Sequence, residues 1–381
     1  MRNLGLYLHI PFCVKKCNYC DFYSLGCSAN GGIERYIDAL CKHVRYEGEK
    51  YRDREVDTVF LGGGTPSILS PHLIKELFCT VRESFNLTSD CEISLEANPG
   101  TVTEEKAHTY KKIGVNRVSI GLQSVNDAEL ERLGRIHTLE EFKHSYSILK
   151  SAGIENINID IMYALPGQKA EDFIKTLDTV VDFQPRHISA YCLKIEEGTP
   201  FYKIRDTLDL PDEDEQYKMY MALCERLYMA GYEQYEISNF AKKGGRCVHN
   251  LKYWLSHDYV GFGPSAHSCI DGARYSYSES IEEYIKAIEA GNQPCKLAEE
   301  QYTPTKEEKM DEYVMLRLRL ADGVDVKEFN LRFGADFESR YKKLKMYEKN
   351  GYICQKNGAY AFTPKGFFVS NYILSEILED I

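Results

Sequence analysis

The feature that most constrains the fold is a repeated alternation of short apolar segments with longer amphipathic ones. Six apolar runs of five to seven residues occur within the first 235 residues, and most are followed by residues with apolar side chains at helical spacing. This β-loop-α repetition predicts an α/β chain with a parallel sheet and helices outside it, closed or partly closed into a barrel. The expected strands are 4–10, 57–61, 92–97, 116–121, 156–162 and 187–193, and the expected helices are 33–47, 71–84, 103–113, 126–133, 138–151, a segment around 173–181, and 212–230.

The chemically unusual residues come where the predicted strands end. A cysteine cluster follows the first strand and a glycine run, 62–64, follows the second. Glu96, Gln123 and Asp160 lie at or close to the ends of the next three. Because parallel strands present their carboxyl ends at one edge of a sheet, we expect these residues to share one site.

The pattern changes after residue 235. We expect residues 1–235 to form the barrel, 236–300 an irregular connecting segment and 301–381 a small C-terminal domain. In the last range, predicted helices over 306–320, 325–333 and 336–350 precede a hairpin at Asn357-Gly358 and a final helix, which predicts a winged-helix-like α+β domain. Its 13 basic and 13 acidic residues leave no charge excess, so a lid or docking role is favoured over DNA binding.

Composition excludes several classes of protein. The chain has no apolar run of about 18 residues, which disfavours a membrane span, and its first residues lack the apolar core of a secretion signal. A formal net charge of −11 disfavours a nucleic-acid partner. The odd count of 13 cysteines excludes complete disulfide pairing. We therefore expect a cytoplasmic protein.

Three cysteines form a C-x3-C-x2-C triad after the first strand: Cys13, Cys17 and Cys20. Thiolates at this spacing can hold an iron–sulfur cluster or a zinc ion. Structural zinc usually takes four ligands, for which His9 and Cys27 are the nearby candidates. Three thiolates on a cluster would instead leave one iron open to another ligand.

This triad, with Tyr19 before its last cysteine, resembles the radical S-adenosylmethionine (SAM) superfamily. The resemblance implies a 4Fe–4S cluster on the three cysteines, SAM on its open iron and a partial (β/α)6-type barrel. The segment from Tyr7 to Cys13, Tyr-Leu-His-Ile-Pro-Phe-Cys, is similar to oxygen-independent coproporphyrinogen III oxidases and to their shorter relatives, the HemW-type heme chaperones.

The same resemblance implies a set of SAM-binding residues. The glycines and threonine after the second strand would line the methionyl group, Glu96 would contact SAM, and Asp160 would bind the ribose. A guanidinium at Arg135 suits a carboxylate. The implied SAM contacts are Tyr7, Tyr19, Gly63, Gly64, Thr65, Glu96, Gln123, Arg135 and Asp160.

Two departures separate this chain from the oxidases. Phe22 stands where they carry a further cysteine, and the first strand begins within a few residues of Met1, without their N-terminal extension. A third feature, His249-Asn-Leu-Lys-Tyr253-Trp254, matches the H-N-x-x-Y-W motif of the chaperone group. Imidazole commonly ligates heme iron, and aromatic rings can lie against a porphyrin. Cys247 and His267 are rival heme ligands.

The sequence thus favours a 4Fe–4S and SAM protein that binds heme and transfers it to acceptor hemoproteins, with respiratory, membrane-associated hemoproteins as the implied acceptors. It would also need an electron donor for the cluster. The alternative is a coproporphyrinogen III oxidase or another porphyrin-modifying radical SAM enzyme of heme biosynthesis. A structural iron–sulfur or zinc protein is a third possibility, which the SAM-pocket residues disfavour.

Overall fold

A computed structural model describes residues 3–26, 32–291 and 298–378. A long mixed sheet forms its centre. The six predicted strands are confirmed, and within the described residues the chain also contains further strands. The strands up to residue 241 are β1 (Leu4–Ile10), β2 (Phe12–Cys13), β3 (Leu25–Gly26), β4 (Glu55–Gly63), β5 (Asn86–Ala97), β6 (Arg117–Gln123), β7 (Asn156–Tyr163), β8 (His187–Cys192), β9 (Glu233–Gln234) and β10 (Asn239–Ala241).

Helices cover the outside of this sheet, as the apolar spacing predicts. The first, for example, buries Tyr36, Ile37 and Leu40 against the strands. The helices of this part are α1 (Ile33–Lys50), α2 (Pro71–Ser84), α3 (Glu104–Lys112), α4 (Asp127–Arg132), α5 (Leu139–Ser151), α6 (Ala170–Asp182), α7 (Pro200–Lys203) and α8 (Glu213–Met229), with short 3-10 turns at Pro66–Ile68 and Arg205–Thr207.

Residues 236–300 are more regular than expected. Their described part supplies β10, β11 (Tyr259–Phe262), β12 (His267–Ile270), β13 (Ala273–Tyr277) and β14 (Ala298–Tyr302), with helices α9 (Val248–Trp254) and α10 (Ile281–Glu289). Strand β11 pairs in parallel with β1, and β12 to β14 follow it as antiparallel strands. Short runs rich in aromatic residues and glycine obscured these strands, because their pairing partners lie far away in the sequence.

The twelve-stranded sheet has the order β14-β13-β12-β11-β1-β4-β5-β6-β7-β8-β10-β9, and the strands from β11 to β8 are parallel. Successive side chains of a strand face opposite sides. In β1, Leu6 and Leu8 pack in the hydrophobic core beneath the helices. Tyr7 and His9 contact other side chains of the barrel interior instead.

The C-terminal segment forms a helical unit with a small three-stranded sheet, β15-β17-β16. The hairpin at Asn357-Gly358 is confirmed, and both residues have positive φ, 54° and 83°. The helix predicted over 336–350 is wrong as one element, since Tyr341 leaves the helix and donates to Asp311 at 2.7 Å. The elements are α11 (Lys306–Leu318), β15 (Val324–Asp325), α12 (Val326–Phe333), α13 (Phe337–Arg340), α14 (Leu344–Lys349), β16 (Ile353–Lys356), β17 (Ala359–Phe362), α15 (Pro364–Phe368) and α16 (Ser370–Leu378).

The structure also bears on membrane insertion and on the pairing of the cysteines. Within the described ranges, no helix combines the length and apolarity needed to cross a membrane. The eleven cysteines in those ranges form no disulfide with one another.

Candidate functional site

A cavity of about 630 Å³ opens at the carboxyl ends of the parallel strands. It brings together the loop after β1, the ends of β4 to β8, and part of the C-terminal segment. Tyr7 is not among its lining residues. The residues predicted to bind the cluster or SAM that line it are Cys13, Cys17, Tyr19, Cys20, Gly63, Gly64, Thr65, Glu96, Gln123, Arg135 and Asp160.

The three cysteines lie at one end of this cavity, and polar side chains contact two of them. The Thr65 hydroxyl lies 3.4 Å from Cys13 Sγ, and Arg135 Nη1 lies 3.5 Å from Cys17 Sγ. Burial raises the pKa of the Cys20 thiol to about 11. Metal ligation would displace that proton, since the thiolate is the ligand.

The four-ligand zinc alternative fits the described residues poorly. His9 Nε2 lies 3.0 Å from the Tyr23 carbonyl and Nδ1 lies 3.0 Å from the Tyr7 hydroxyl, so both ring nitrogens are engaged. Cys27 lies outside the described residues. In the part of the chain that is described, no three His, Cys, Asp or Glu side chains are arranged around one ion position. The donor set therefore fits a polynuclear cluster on three thiolates better than a single zinc ion.

The glycine run packs against the cysteine loop. A Cβ on Gly63, which has φ +112°, would lie 2.5 Å from the His9 ring, and one on Gly64 would lie 2.6 Å from the Phe12 carbonyl oxygen. The Gly64 N–H donates to the Ile10 carbonyl at 2.9 Å. The glycines thus allow the end of β4 to hold the cysteine loop at close range.

Two carboxylates face the cavity from β5 and β7, the strands on either side of β6. Glu96 accepts from the Gly63 N–H at 3.0 Å. Asp160 accepts from Ser119 at 2.6 Å and from the Asn158 amide at 2.7 Å. Burial, together with the nearby charge of Asp160, raises the pKa of Glu96 to about 8. Ionisation of Glu96 beside Asp160 is therefore unfavourable unless a cation binds next to the two carboxylates.

Arg135 connects the cysteine loop with the sheet. Besides its contact with Cys17, its Nη2 donates to the Gly121 carbonyl at 2.7 Å and to the Asn98 side-chain oxygen at 2.8 Å. The Asn98 amide in turn donates to the Thr65 hydroxyl at 2.8 Å. The sequence reasoning missed Asn98, although its position just past the end of β5 was a usable signal.

Gln123 has an unusual backbone conformation. Its φ is +71°, in the left-handed region that non-glycine residues rarely adopt, and the pairing of β6 with β7 is irregular between Gly121 and Gln123. Backbone strain of this kind is often retained where a side chain must be aimed at a ligand. The conformation supports a binding role for Gln123.

The H-N-x-x-Y-W motif lies at the other end of the barrel. It forms α9, which sits against the early part of β4 and β5. Glu92 accepts from the backbone N–H groups of Val248 and His249, both at 3.0 Å, and so caps the start of the helix. The Lys252 ammonium lies 2.6 Å from Asp57. The motif helix is therefore fixed across the barrel base.

His249 is enclosed within this base. It is 0% exposed, its Nδ1 lies 2.9 Å from the Thr58 hydroxyl, and its Nε2 lies 2.8 Å from the Tyr253 hydroxyl. Burial and nearby cations lower its pKa to about 3, so the imidazole is neutral. The ring also stacks on Phe60 and Tyr7. Its predicted role as a heme ligand stays a prediction, which requires a conformation in which α9 leaves the barrel.

The other heme candidates lie in different surroundings. Cys247 is fully buried, with Sγ 3.6 Å from Glu92. Trp254 is half-buried, and the guanidinium carbon of Arg319 lies over the indole ring, 6.0 Å from the ring centroid. His267 is exposed at the start of β12. The structure therefore does not bring these residues into one site.

Comparisons with known proteins identify the family. Residues 7–180 match the model of the radical SAM superfamily, and residues 305–369 match that of the HemN C-terminal domain. The heme chaperone HemW of Buchnera aphidicola is 35% identical over 99% of this chain and 98% of its own length. Those of Haemophilus influenzae and Bacillus subtilis are 34% and 33% identical, each over at least 98% of both chains. The chain belongs to the HemW family.

The fold of this HemW family member also matches a solved structure. Coproporphyrinogen III oxidase (HemN) from Escherichia coli, described as a radical SAM enzyme, superposes with a TM-score of 0.86 over 100% of this chain and 91% of its own, at 22% identity. This likeness confirms the radical SAM α/β fold, and membership of the superfamily implies a 4Fe–4S cluster and SAM.

Several cavity residues come from the C-terminal segment, which the sequence reasoning did not connect with the site. They follow no motif, and only the folded chain brings them beside the cluster loop. Phe22, the residue that departs from the oxidases, lines the same cavity and is 66% exposed. The lining residues from the C-terminal segment are Arg319, Phe367, Phe368, Ser370 and Asn371.

Proposed function

We propose that this chain is a heme chaperone, which binds heme and passes it to hemoproteins that require it. The observation that carries the proposal is the similarity of 33–35% over nearly the whole length of three HemW chaperones from different bacteria. It extends through both the cavity and the motif helix. The likeness to the solved oxidase structure, at 22% identity, is evidence for the fold alone.

Under this proposal, Cys13, Cys17 and Cys20 hold the 4Fe–4S cluster and the rest of the cavity holds SAM. Arg135 pairs with the SAM carboxylate. Glu96 and Asp160 offer carboxylates to the cationic and hydroxyl groups of SAM. When bound, the cluster and SAM supply one-electron and adenosyl-radical chemistry. The exposed triad loop carries Lys15 and Lys16, and an electron donor would approach there.

The second candidate function is coproporphyrinogen III oxidation, which the shared fold favours. Phe22, in place of a cysteine at the cavity mouth, argues against it. We further propose cytoplasmic residence, in keeping with the acidic charge and the lack of an apolar spanning run. Respiratory hemoproteins are the acceptors that the family resemblance implies.

One anaerobic preparation tests the two functions. After cluster reconstitution, heme titration is followed by absorbance, and coproporphyrinogen III turnover is measured with SAM and a reductant. We expect stoichiometric heme binding without decarboxylation. Turnover to a decarboxylated porphyrin would replace the chaperone assignment with the oxidase, and a failure to bind heme would remove the chaperone assignment.

A further inference from the structure

A row of buried polar side chains crosses three strands next to Asp160. In the register of the sheet, Ser119 of β6 pairs with Asn158 of β7, and Asn158 pairs with His187 of β8. All three side chains are buried, so their polar groups need partners within the chain. Asp160 follows Asn158 by two residues and therefore lies on the same face of β7, where it lines the carboxyl-end cavity.

Asn158 and Ser119 hold the carboxylate of Asp160. The Asn158 amide donates to Asp160 Oδ1 at 2.7 Å, and the Ser119 hydroxyl donates to Asp160 Oδ2 at 2.6 Å. The same amide nitrogen lies 2.7 Å from Ser119 Oγ and 2.9 Å from Ser189 Oγ. Each oxygen of the carboxylate thus accepts one bond from the sheet, which fixes its orientation and leaves acceptor capacity for a ligand.

His187 holds the other side of the Asn158 amide. Because the amide nitrogen faces the carboxylate, the amide oxygen faces His187, and its distance from Nδ1 is 2.6 Å. An amide oxygen can only accept, so Nδ1 carries the proton. Burial and the charge of Arg117 lower the pKa of His187 well below its usual range, so the imidazole is neutral. Its Nε2 is therefore an acceptor.

Tyr235 supplies the proton for Nε2. Its hydroxyl lies 2.8 Å from His187 Nε2 and accepts from the backbone N–H of Cys247 at 3.2 Å. The hydrogen bonds thus run in one direction, from Tyr235 to His187 and on to the Asn158 amide. Neither His187 nor Tyr235 lines the carboxyl-end cavity. Any effect of His187 on a ligand there must therefore pass through Asn158.

We propose that His187 is a positioning residue for SAM, because its Nδ1–H holds the Asn158 amide and so keeps the Asp160 carboxylate aimed at the ribose hydroxyls. This inference rests on the proposed SAM site and adds a residue that belongs to no motif. Loss of the Nδ1–H leaves Asn158 Oδ1 buried without a donor, and the amide can then tilt away from Asp160. The bond from Tyr235 has no direct part in holding the carboxylate.

Two substitutions separate the two halves of the imidazole. An asparagine amide reaches the position of Nδ1, so His187→Asn keeps the bond to Asn158. A glutamine amide reaches the position of Nε2, so His187→Gln keeps only the bond to Tyr235. Each variant leaves one buried hydrogen bond unmade, so both should lose similar stability in urea denaturation. Each is therefore the matched control for the other.

The affinity for SAM is measured by equilibrium dialysis with the full-length, cluster-reconstituted protein. We expect His187→Gln to raise the Kd about fivefold, and His187→Asn to stay within about twofold of wild type. Tyr235→Phe, which leaves the histidine unchanged, should also stay within about twofold.

A double-variant cycle tests whether His187 acts through Asp160. Asp160→Asn removes the charged acceptor of the ribose and should raise the Kd at least about tenfold. In that background, His187→Gln should add no further loss, because the group that it positions is already gone.

Three results overturn the role of His187. Equal affinities of the two His187 variants would indicate a structural role, and a fivefold loss in Tyr235→Phe would show that the bond to Nδ1 is not special. An unchanged effect of His187→Gln in the Asp160→Asn background would show another route. In each case wild-type SAM binding, and with it the proposed site, is retained. A wild type that binds no SAM, or an Asp160→Asn variant of full affinity, overturns the site assignment itself.

Discussion

The two ends of the barrel differ in how their buried carboxylates are hydrogen-bonded, and two glutamates of β5 show the difference. Glu92, near the base, accepts two backbone N–H bonds at 3.0 Å each and lies close to the buried Arg117. Glu96, four residues later, accepts one hydrogen bond and faces the cavity beside Asp160. At the base, Glu92 and His249 find their hydrogen-bond partners within the chain. At the carboxyl-end cavity, Glu96 accepts a single hydrogen bond and keeps acceptor capacity for a ligand.

This contrast shows how a binding site can be told from a structural polar cluster. The cavity contains a strained Gln123 and a glutamate with a raised pKa. The base contains His249, whose two nitrogens are both engaged. A strained backbone and a carboxyl group with a raised pKa both indicate a functional site, because neither stabilises the fold.

The largest effect is expected from removing the cluster ligands. In the triple variant Cys13→Ser/Cys17→Ser/Cys20→Ser, reconstitution should yield almost no iron, against about four irons per chain in wild type. Iron analysis and the visible absorbance of the cluster measure this. Cys354→Ser changes an exposed cysteine of β16 and should keep the full iron content. Retention of iron in the triple variant would show that other residues hold the metal.

The base should respond strongly in stability. Burial acts to lower the pKa of Arg117, but neighbouring groups that include Glu92 raise it overall, so the guanidinium stays charged. Glu92→Gln keeps the shape but leaves that charge uncompensated, and should lower the free energy of unfolding by about 3 kcal/mol. Urea denaturation measures the change, with the exposed Glu105→Gln as control. A loss below about 1 kcal/mol would mean that Glu92 does not balance Arg117.

The sequence predicted the barrel well because its strands are short apolar runs that repeat with helices between them. It failed for the strands after residue 236, since β11 is parallel to β1, some 250 residues earlier in the chain. Such pairing depends on long-range packing, which local patterns do not report. The break at Tyr341 has a similar origin, since its partner Asp311 belongs to another helix.

For the site, the sequence identified residues that occur in motifs or at strand ends. It could not identify Phe367 and Phe368, which line the cavity only because α15 packs beside α8. The cavity between the sheet and the C-terminal helices could not be predicted for the same reason, because its wall combines residues 51, 258, 274 and 313. Folding alone brings them together.

Replacement of Glu96 should raise the free energy of unfolding, by less than Glu92→Gln lowers it. Its pKa is raised to about 8 in the folded chain, from 4.5. As the pH rises from 4.5 to 8, the unfolded chain ionises first, so this group disfavours the fold progressively over that window. Glu96→Gln should therefore stabilise the cofactor-free protein by about 2 kcal/mol at pH 8, allowing for solvent in the cavity, and by little near pH 4.5. Thermal and urea unfolding at both pH values measure this. A destabilised variant at pH 8 would contradict it, and the exposed Glu131→Gln should show no such dependence.

The smallest expected effect concerns Asn98, which orients Arg135 without belonging to any motif. Its side chain bridges the Arg135 guanidinium and the Thr65 hydroxyl, at 2.8 Å each. Asn98→Ala removes both bonds and should weaken SAM binding about fivefold, which is about 1 kcal/mol, the usual net worth of one hydrogen bond. Asn98→Asp keeps an acceptor for Arg135 and should retain most of the affinity. Equilibrium dialysis of SAM against the reconstituted protein measures both. Asn98 lines the ligand cavity and is not part of the packed base. Neither Asn98 variant should therefore lose as much stability as Glu92→Gln. A large loss of stability in Asn98→Ala would mean that this part of the cavity is built like the base.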